Sequence, residues 1–231
     1  MKTIGLIGGM SWASTAEYYR IINEAIRERL GGSHSAKIVM YSVEFEEVRE
    51  LHRAGNWGEA TNLMIDAAKR VERGGADFVL ICTNTMHKMA DDVQASINIP
   101  LLHIADATAE AIIPFGFKKL GLLGSTFTME EDFYKGRLKE KYDLDVVIPG
   151  EAERQIIDNI IFNELCMGEI KNSSREQIKT IMKKLIDGGA QGIILGCTEL
   201  PLLIKREDCP VPLFDTTAIH AKAAVEYAFK D

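Results

Sequence analysis

The chain has 231 residues, a net charge of −7 and a hydrophobic fraction of 46%. This composition is typical of a globular protein that can bury a core, in one large domain or two small ones. The acidic balance, with no basic tract, argues against nucleic acid or a membrane surface as the main partner. No apolar stretch approaches the ~20 residues of a membrane-spanning helix and no secretory signal pattern is visible, so we expect a cytoplasmic protein.

Short apolar strands alternate with amphipathic helices along the first half of the chain. The run TIGLIG predicts a buried strand, and the spacing Ser14-x-x-Glu17 predicts the capping box of the helix that follows it. Further strands are predicted at AKIVMYSV, DFVLIC and IPLLHI, with a helix that ends at Gly74 and Gly75 between the first two of them.

The second half repeats this order, with strands predicted at KLGLLGS, LDVVIP, GIILG and VPLFD. GGADFVLICTNT, from Gly74, aligns without a gap with GGAQGIILGCTE, from Gly188. The pattern predicts an α/β protein with two pseudo-symmetric doubly wound domains and mainly parallel sheets. We expect an N-terminal lobe of residues 1–102 plus 212–231 and a C-terminal lobe of residues 103–211. The active site is expected in the cleft between them, because ligands bind beyond the carboxyl ends of parallel strands.

The internal register indicates which cysteine is placed for chemistry. Cys82 aligns with Gly196, whereas Thr83 aligns with Cys197. Because side chains alternate along a strand, Cys82 is predicted to lie in the core. Cys197 and Thr83 each precede a predicted helix, whose N-terminal amides would lower the pKa of a thiol. A quiet buried thiol at Cys197 and a helix N-cap at Thr83 are the alternatives.

Two predicted turns and three single residues complete the candidates. The turns at Gly8–Ser11 and Ser125–Thr128 carry amides and hydroxyls that could bind a carboxylate or phosphate, although capped tight loops fit the same pattern. His87 is predicted to cap or brace its helix, with a catalytic role as the alternative. His52 is predicted either to reach a carboxylate or to lie on a solvated helix face. Glu199 could orient a substrate ammonium group or bond its own helix amides. The cysteines show no metal-ligand spacing, so no metal is predicted.

Four motifs together resemble one known family. IGLIGGMSWAST, CTNTMH, LLGSTFTM and GCTELP resemble, in order and spacing, the aspartate branch of the aspartate/glutamate racemase family over essentially the whole chain. Gly8 and Gly9 favour that branch, because the glutamate branch has an acidic residue at this turn. The resemblance implies a cofactor-independent isomerase of D-amino acid metabolism, a homodimer with a small-molecule amino-acid substrate. In this family two cysteines, one per half, act on opposite faces of the substrate Cα.

The chain departs from the family pattern at the first of these cysteines. The family's C-N-T reads Thr83-Asn84-Thr85 here, while Cys197 matches the second cysteine. The resemblance implies a racemase of aspartate and/or glutamate, with Cys197 as the base toward the L-enantiomer and Thr83 on the opposite face. It also implies substrate-binding roles for a larger set of residues: Met10, His52, Asn84, Thr85, Ser125, Thr128 and Thr198.

Two other functions stay open from the sequence. A non-catalytic protein that binds dicarboxylates or amino acids would explain why Thr83 stands where the family has a thiol. A related cysteine-based maleate isomerase or decarboxylase would use the same kind of cleft. A pyridoxal-dependent racemase is not predicted, because no lysine stands in a suitable motif.

Overall fold

The computed structural model describes residues 1–230 and divides the chain into two compact units. The first unit comprises Met1–Ile104 together with the residues from His220 onward, and the second comprises Ala105–Ile219. Both are α/β units with parallel sheets, as the sequence predicts. The two units are described separately below.

The first unit is built on a parallel sheet flanked by helices. Its elements up to residue 96 are β1 (Ile4–Gly8), α1 (Trp12–Leu30), β2 (Ile38–Ser42), α2 (Phe45–Arg53), α3 (Trp57–Arg73), β3 (Phe78–Ile81), a 3₁₀ helix (Thr85–Met89) and α4 (Ala90–Ser96). The strand order is β2-β1-β3, and Leu101 adds a parallel bridge to Val79 on β3. All carboxyl ends of these strands therefore meet at one edge of the sheet.

Alternation along the strands gives the first sheet two hydrophobic faces. Val79 and Ile81 belong to a cluster with side chains of α3 and α4. Phe78, Leu80 and Cys82 belong to a second cluster with side chains of α1 and of the C-terminal helix. Strands β1 and β3 are buried on both faces, which explains their continuous apolar sequences, whereas the edge strand β2 is only partly buried.

The second unit repeats this plan with one more strand. Its elements, after α5 (Ile104–Ile112) and a 3₁₀ turn (Ile113–Phe115), are β4 (Lys119–Gly124), α6 (Thr126–Glu130), α7 (Asp132–Tyr142), β5 (Asp145–Val147), α8 (Glu151–Asn163), a 3₁₀ turn (Leu165–Met167), α9 (Asn172–Asp187), β6 (Gly192–Gly196), α10 (Leu200–Leu203), a 3₁₀ turn (Arg206–Asp208), β7 (Leu213–Asp215) and α11 (Thr216–Ala228). The strand order is β5-β4-β6-β7. Leu101 beside β3 thus corresponds to β7 beside β6, and the predicted internal repeat is confirmed.

Several expectations from the sequence differ from the structure. The strand predicted at IPLLHI is only an isolated bridge at Leu101, and residues 103–104, expected in the second lobe, belong to the first unit. Residues 212–219 were expected in the first lobe, but β7 pairs in parallel with β6 and belongs to the second unit. The predicted capping box Ser14-x-x-Glu17 is wrong: α1 begins at Trp12, and its N-cap is Ser11, whose hydroxyl accepts from the Ser14 amide. Ser14 is buried one turn into the helix, and Glu17 instead pairs with Arg20 on the helix surface.

Within residues 1–230, no helix is both long enough and apolar enough to cross a membrane.

Candidate active site

Cys197 follows the last residue of β6 in the second unit and carries its own acid–base partner. Its Sγ lies 3.1 Å from Glu199 Oε2, with the thiol as donor. Thr198 Oγ1 donates to the same oxygen at 2.7 Å. Glu199 is buried, at 6% exposure, so this carboxylate is directed at the thiol and the neighbouring hydroxyl rather than at solvent. The arrangement resembles a nucleophile–base pair, in which a carboxylate can take the thiol proton.

The pKa of Cys197 moves opposite to the prediction. Burial and then the negative charge of Glu199 raise the pKa of the thiol well above its usual value, outweighing the Glu199 backbone amide that bonds to the sulfur. The predicted lowering by a helix N-terminus is wrong, because α10 has only four residues and begins at Leu200. At neutral pH the sulfur therefore keeps its proton, and the thiol donates a hydrogen bond to Glu199.

The first unit presents hydroxyl and amide groups at the corresponding place. Thr83, Asn84 and Thr85 follow β3, and Asn84 is buried while the two threonines are half-buried. The backbone N–H of His87 donates to the Asn84 carbonyl at 3.0 Å, and its ring donates to the Thr83 carbonyl. Thr83 is not the N-cap of the 3₁₀ helix, since that position is Asn84.

Cys82 is a core side chain, as its register predicts. It is fully buried in the cluster that contains Phe78 and Leu80, and burial raises the pKa of its thiol. Its backbone N–H donates to the Ile7 carbonyl at 2.9 Å, which extends the β1–β3 ladder by one residue. A thiol in this environment is inert, so the two adjacent residues Cys82 and Thr83 have different roles.

The glycine turn after β1 is closed by its own hydrogen bonds. Gly9 has φ 98°, and a Cβ there would lie 2.2 Å from the Val43 carbonyl oxygen, so only glycine fits. Its amide donates to Thr15 Oγ1 at 2.9 Å. Met10 is buried in the hydrophobic cluster of the first unit, at 5% exposure. The prediction of exposed anion-binding amides is therefore wrong for Gly9, and the capped-loop alternative accounts for this turn.

The turn after β4 is also closed by hydrogen bonds within the protein, here through its hydroxyl groups. Ser125 is the N-cap of α6; its Oγ accepts from the Thr128 amide and lies 3.1 Å from Thr128 Oγ1. The Thr126 amide donates to Asp158 Oδ1 at 2.9 Å. Both hydroxyls are buried, and the pair matches the Ser11–Ser14 pair after β1, whose Oγ atoms lie 3.2 Å apart.

His52 lies in a small cluster with an aromatic ring and a cation. Its Nε2 is 3.1 Å from Met86 Sδ, and its ring centroid is 4.8 Å from that of Trp57. Lys88 Nζ stands 4.0 Å from the centroid of the Trp57 ring. Burial, and then the charge of Lys88, lower the pKa of His52, so its imidazole is neutral at pH 7. A carboxylate would meet a neutral donor at His52 and the positive charge at Lys88.

The sequence left the role of Glu199 open and did not identify Lys88. Glu199 was weighed as a substrate contact or a helix bond, whereas its carboxylate bonds Cys197 and Thr198. The spacing of two residues in GCTE was the available signal, since it allows a side chain to fold back onto the thiol. Lys88 had no signal, because Trp57 lies 31 residues away in the sequence and only the fold brings them together.

Among residues 1–230, no group of three or more His, Cys, Asp and Glu side chains is arranged to hold a metal ion.

A family model described as Asp/Glu/Hydantoin racemase matches residues 7–224 of the chain. The match covers nearly the whole sequence, including the Thr83 and Cys197 turns of the two units. The chain belongs to the Asp/Glu/hydantoin racemase family. By this membership it is an isomerase, because racemases are isomerases.

Named relatives agree with this family and cover both units. The broad specificity amino-acid racemase RacX of Bacillus subtilis (strain 168) is 25% identical over 229 residues, covering 96% of each chain. A crystal structure from Yersinia pestis, described provisionally as an Asp/Glu racemase, is 51% identical with a TM-score of 0.94 and full coverage of both chains. An aspartate racemase homologue from Pyrococcus horikoshii OT3 is 40% identical with a TM-score of 0.87, again over both full chains.

Proposed function

We propose that this protein is a cofactor-independent amino-acid racemase that acts on aspartate and/or glutamate by proton transfer at Cα. Cys197 is the base toward the L-enantiomer, and Thr83 takes the place of the first cysteine on the opposite face of the substrate. The observation that carries the proposal is the Cys197–Glu199 pair, with 3.1 Å between sulfur and carboxylate oxygen. A buried carboxylate on a protonated thiol supplies a base without any cofactor.

Glu199 solves the problem set by the raised pKa of Cys197. The thiol proton passes to Glu199 Oε2, which converts a charged carboxylate and a neutral thiol into a neutral acid and a thiolate. The thiolate then takes the α-proton: the Cα–H bond breaks, an S–H bond forms, and the electron pair stays on Cα and its carboxylate. The Cys197–Glu199 pair carries one negative charge before and after this proton transfer. The resting protein therefore does not need a thiolate at Cys197.

The remaining polar residues would hold the substrate carboxylates. We assign the α-carboxylate to Asn84, Thr85 and Thr198, where hydroxyl and amide donors stabilise the charge that develops on the enediolate. We assign the side-chain carboxylate to His52, with Lys88 providing positive charge nearby. The pocket wall is assigned to Met10, Ser125 and Thr128. The family resemblance implies these roles for all of the residues except Lys88, which is added because its ammonium group lies near His52.

Thr83 can return a proton but is a poor base. Its hydroxyl is far less acidic than a thiol, yet it can protonate a strongly basic carbanion and then recover a proton from solvent. The two directions are therefore unequal in mechanism. Equilibrium still fixes the ratio of kcat/KM in the two directions, so the asymmetry appears as poor binding or poor turnover of the D-enantiomer.

A screen of L-amino acids in D₂O tests the proposal directly. Aspartate, glutamate and neutral amino acids are incubated with the protein, and deuterium at Cα and formation of the D-enantiomer are measured separately. We expect both for aspartate and/or glutamate. Incorporation for none of the amino acids would reject the racemase.

A dicarboxylate- or amino-acid-binding protein without catalysis is the second candidate. The raised pKa of Cys197 favours it, since a thiol that never ionises would only line a pocket. Binding of aspartate by calorimetry, with no deuterium at Cα after long incubation, would establish this function instead. A maleate isomerase would be recognised by conversion of maleate, which the same samples can report.

A homodimer and a cytoplasmic location complete the proposal. Sedimentation of the purified protein over a range of concentrations measures the first, and a single species at the monomer mass would reject it. Cell fractionation measures the second.

A further inference from the structure

A cluster of three buried histidines lies in the first unit and has no role in the proton transfers described above. His87, His103 and His220 are at most 6% exposed. The ring centroid of His87 is 4.6 Å from that of His103 and 5.7 Å from that of His220. Buried imidazoles at such distances need defined hydrogen-bond partners, because an unsatisfied buried polar group is costly.

The partners of His87 fix its tautomer. The backbone amide of Ile104 can only donate, so Nε2 of His87, 3.2 Å away, accepts and carries no proton. The proton is therefore on Nδ1, which donates to the Thr83 carbonyl oxygen at 2.8 Å. His87 is thus a neutral imidazole with one donor and one acceptor in use.

His87 holds two successive carbonyls of the turn that carries Thr83. Its ring bonds the Thr83 carbonyl, and its backbone amide bonds the Asn84 carbonyl at 3.0 Å. Residues 82–84 lie between β3 and the 3₁₀ helix and belong to neither. Their orientation therefore depends on such cross-links, and the other end of the imidazole is anchored at the first residue of α5 through Ile104.

A second imidazole with fixed partners, that of His220, lies edge-on to the His87 ring. His220 Nε2 lies 2.8 Å from the Leu102 carbonyl and donates to it, while its Nδ1 accepts from the Tyr18 hydroxyl at 2.9 Å. Burial lowers the pKa of His220 to about 4, so this ring is also neutral at pH 7. Neither imidazole needs to change its charge for the arrangement to persist during turnover.

We propose that His87 is a positioning residue for the proton transfer at Thr83: its Nδ1–H holds the Thr83 carbonyl and so sets the direction of the Thr83 hydroxyl. This inference rests on the proposed racemase function and assigns His87 no contact with substrate. Misplacement of a reacting group by about 1 Å can cost on the order of 10² in rate. The effect should fall on the Thr83 step alone and spare the Cys197–Glu199 step.

Two substitutions separate the two hydrogen bonds of His87. In His87→Asn the side-chain amide nitrogen can occupy the place of Nδ1 and still donate to the Thr83 carbonyl, while the Ile104 amide loses its acceptor. In His87→Gln the amide oxygen can occupy the place of Nε2 and accept from Ile104, while the Thr83 carbonyl loses its donor. Each variant thus keeps one of the two hydrogen bonds and loses the other.

The readout is the ratio of inversion to exchange, measured from L-aspartate or L-glutamate in D₂O. Exchange is deuterium in the recovered L-enantiomer, and inversion is formation of the D-enantiomer. We expect His87→Gln to lower inversion by about 10- to 100-fold with exchange changed less than about threefold, and His87→Asn to keep the wild-type ratio. An unchanged ratio in His87→Gln, or equal changes in both variants, would overturn the inference and leave His87 a purely structural residue.

A measurement on the wild-type protein keeps the test independent of variant folding. Long-range ¹H–¹⁵N NMR reads the tautomer of His87, which we expect to be Nδ1–H, and an Nε2–H tautomer would overturn the inference. If no amino acid exchanges its α-hydrogen with wild-type protein, the proposed function fails even with the Nδ1–H tautomer present. Exchange together with the Nε2–H tautomer would instead keep the function and reject the role of His87.

Discussion

The two turns that follow β3 and β6 occupy the same place in a repeated fold and carry different chemistry. In the repeat register Thr83 corresponds to Cys197, and Thr85 corresponds to Glu199. The second unit thus has a thiol with a carboxylate 3.1 Å away, whereas the first has two hydroxyl side chains at the matching positions. The repeated fold thus gives the two turns equivalent positions, and the sequence places a thiol beside a carboxylate only in the second.

The difference also extends to how each turn is held. Cys197 is fixed from within its own turn, through the Glu199 side chain and backbone. Thr83 is fixed from outside, by the ring of His87, which is anchored at Ile104. We expect Glu199 to control the protonation of Cys197, and His87 to control only the orientation of Thr83. The variants below test whether this division of roles is correct.

The largest effect is expected for Cys197→Ala, which removes the base of the second unit. Exchange at Cα of the L-enantiomer should fall by at least the ~10²–10⁴ that an acid–base group contributes. Deuterium incorporation measured by mass spectrometry gives the rate. Cys82→Ala, directly after β3 in the first unit, is the matched control and should keep its exchange rate. Full exchange in Cys197→Ala would assign the reaction to another base.

Glu199→Gln should produce the next largest effect, with a characteristic dependence on pH. The amide cannot take the thiol proton, so L-side exchange at pH 7 should fall by roughly 10². Loss of the Glu199 charge lowers the pKa of Cys197 relative to the wild type, but burial keeps it raised, so the thiolate forms only as the pH increases. The variant should therefore regain activity from neutral to alkaline pH, while the wild type shows a flatter profile. A parallel pH profile for both proteins would show that Glu199 does not serve the thiol.

Thr83→Cys makes the first turn more similar to the second. A thiol is a better base than a hydroxyl, so exchange at Cα of the D-enantiomer should increase by about tenfold or more. The L-side rate should change little, because Cys197 and Glu199 are retained. The rates are measured in D₂O from each pure enantiomer, with Thr83→Ser, which keeps a hydroxyl at this position, as the control. If the exchange rates of both enantiomers fell, Thr83 would have a further role besides donating a proton.

The smallest effect is expected for Cys82→Ala, and it concerns stability. The side chain is fully buried among Phe78, Leu80 and their neighbours, so its loss should destabilise the fold by about 1 kcal/mol. Urea unfolding monitored by circular dichroism measures the change. A wild-type unfolding midpoint together with lost catalysis would reverse the roles given to Cys82 and Cys197.

Much of the fold could be predicted from the sequence, because it depends on local patterns. The apolar runs, the glycines after α3 and α9, and the gapless repeat gave the two α/β units and placed Cys82 in the core. The strand alternation that separates Cys82 from Thr83 is a property of the backbone itself. The assignment of residues 212–219 to the second unit was not predicted, because the pairing of β7 with β6 is a long-range contact.

The candidate site was less predictable, because hydrogen bonds between side chains decide it. A helix N-terminus after Cys197 suggested a lowered pKa, but α10 proved to be four residues long and Glu199 lies against the sulfur. The Gly9 amide seemed free for an anion in the sequence, yet Thr15 accepts from it. The hydrogen bond that anchors the His87 ring joins it to the Ile104 amide, 17 residues away in the sequence. No sequence pattern indicates such a contact.

The most direct test compares deuterium uptake in the recovered substrate from each pure enantiomer, using the wild-type protein. Equilibrium constrains the two inversion rates, so deuterium in unreacted L- or D-aspartate or glutamate reports the two bases separately. With Cys197–Glu199 as the base on one face and Thr83 on the other, uptake into recovered L-enantiomer should greatly exceed uptake into recovered D-enantiomer. Equal deuterium uptake into both enantiomers would contradict the proposal that Cys197 is a much better base than Thr83.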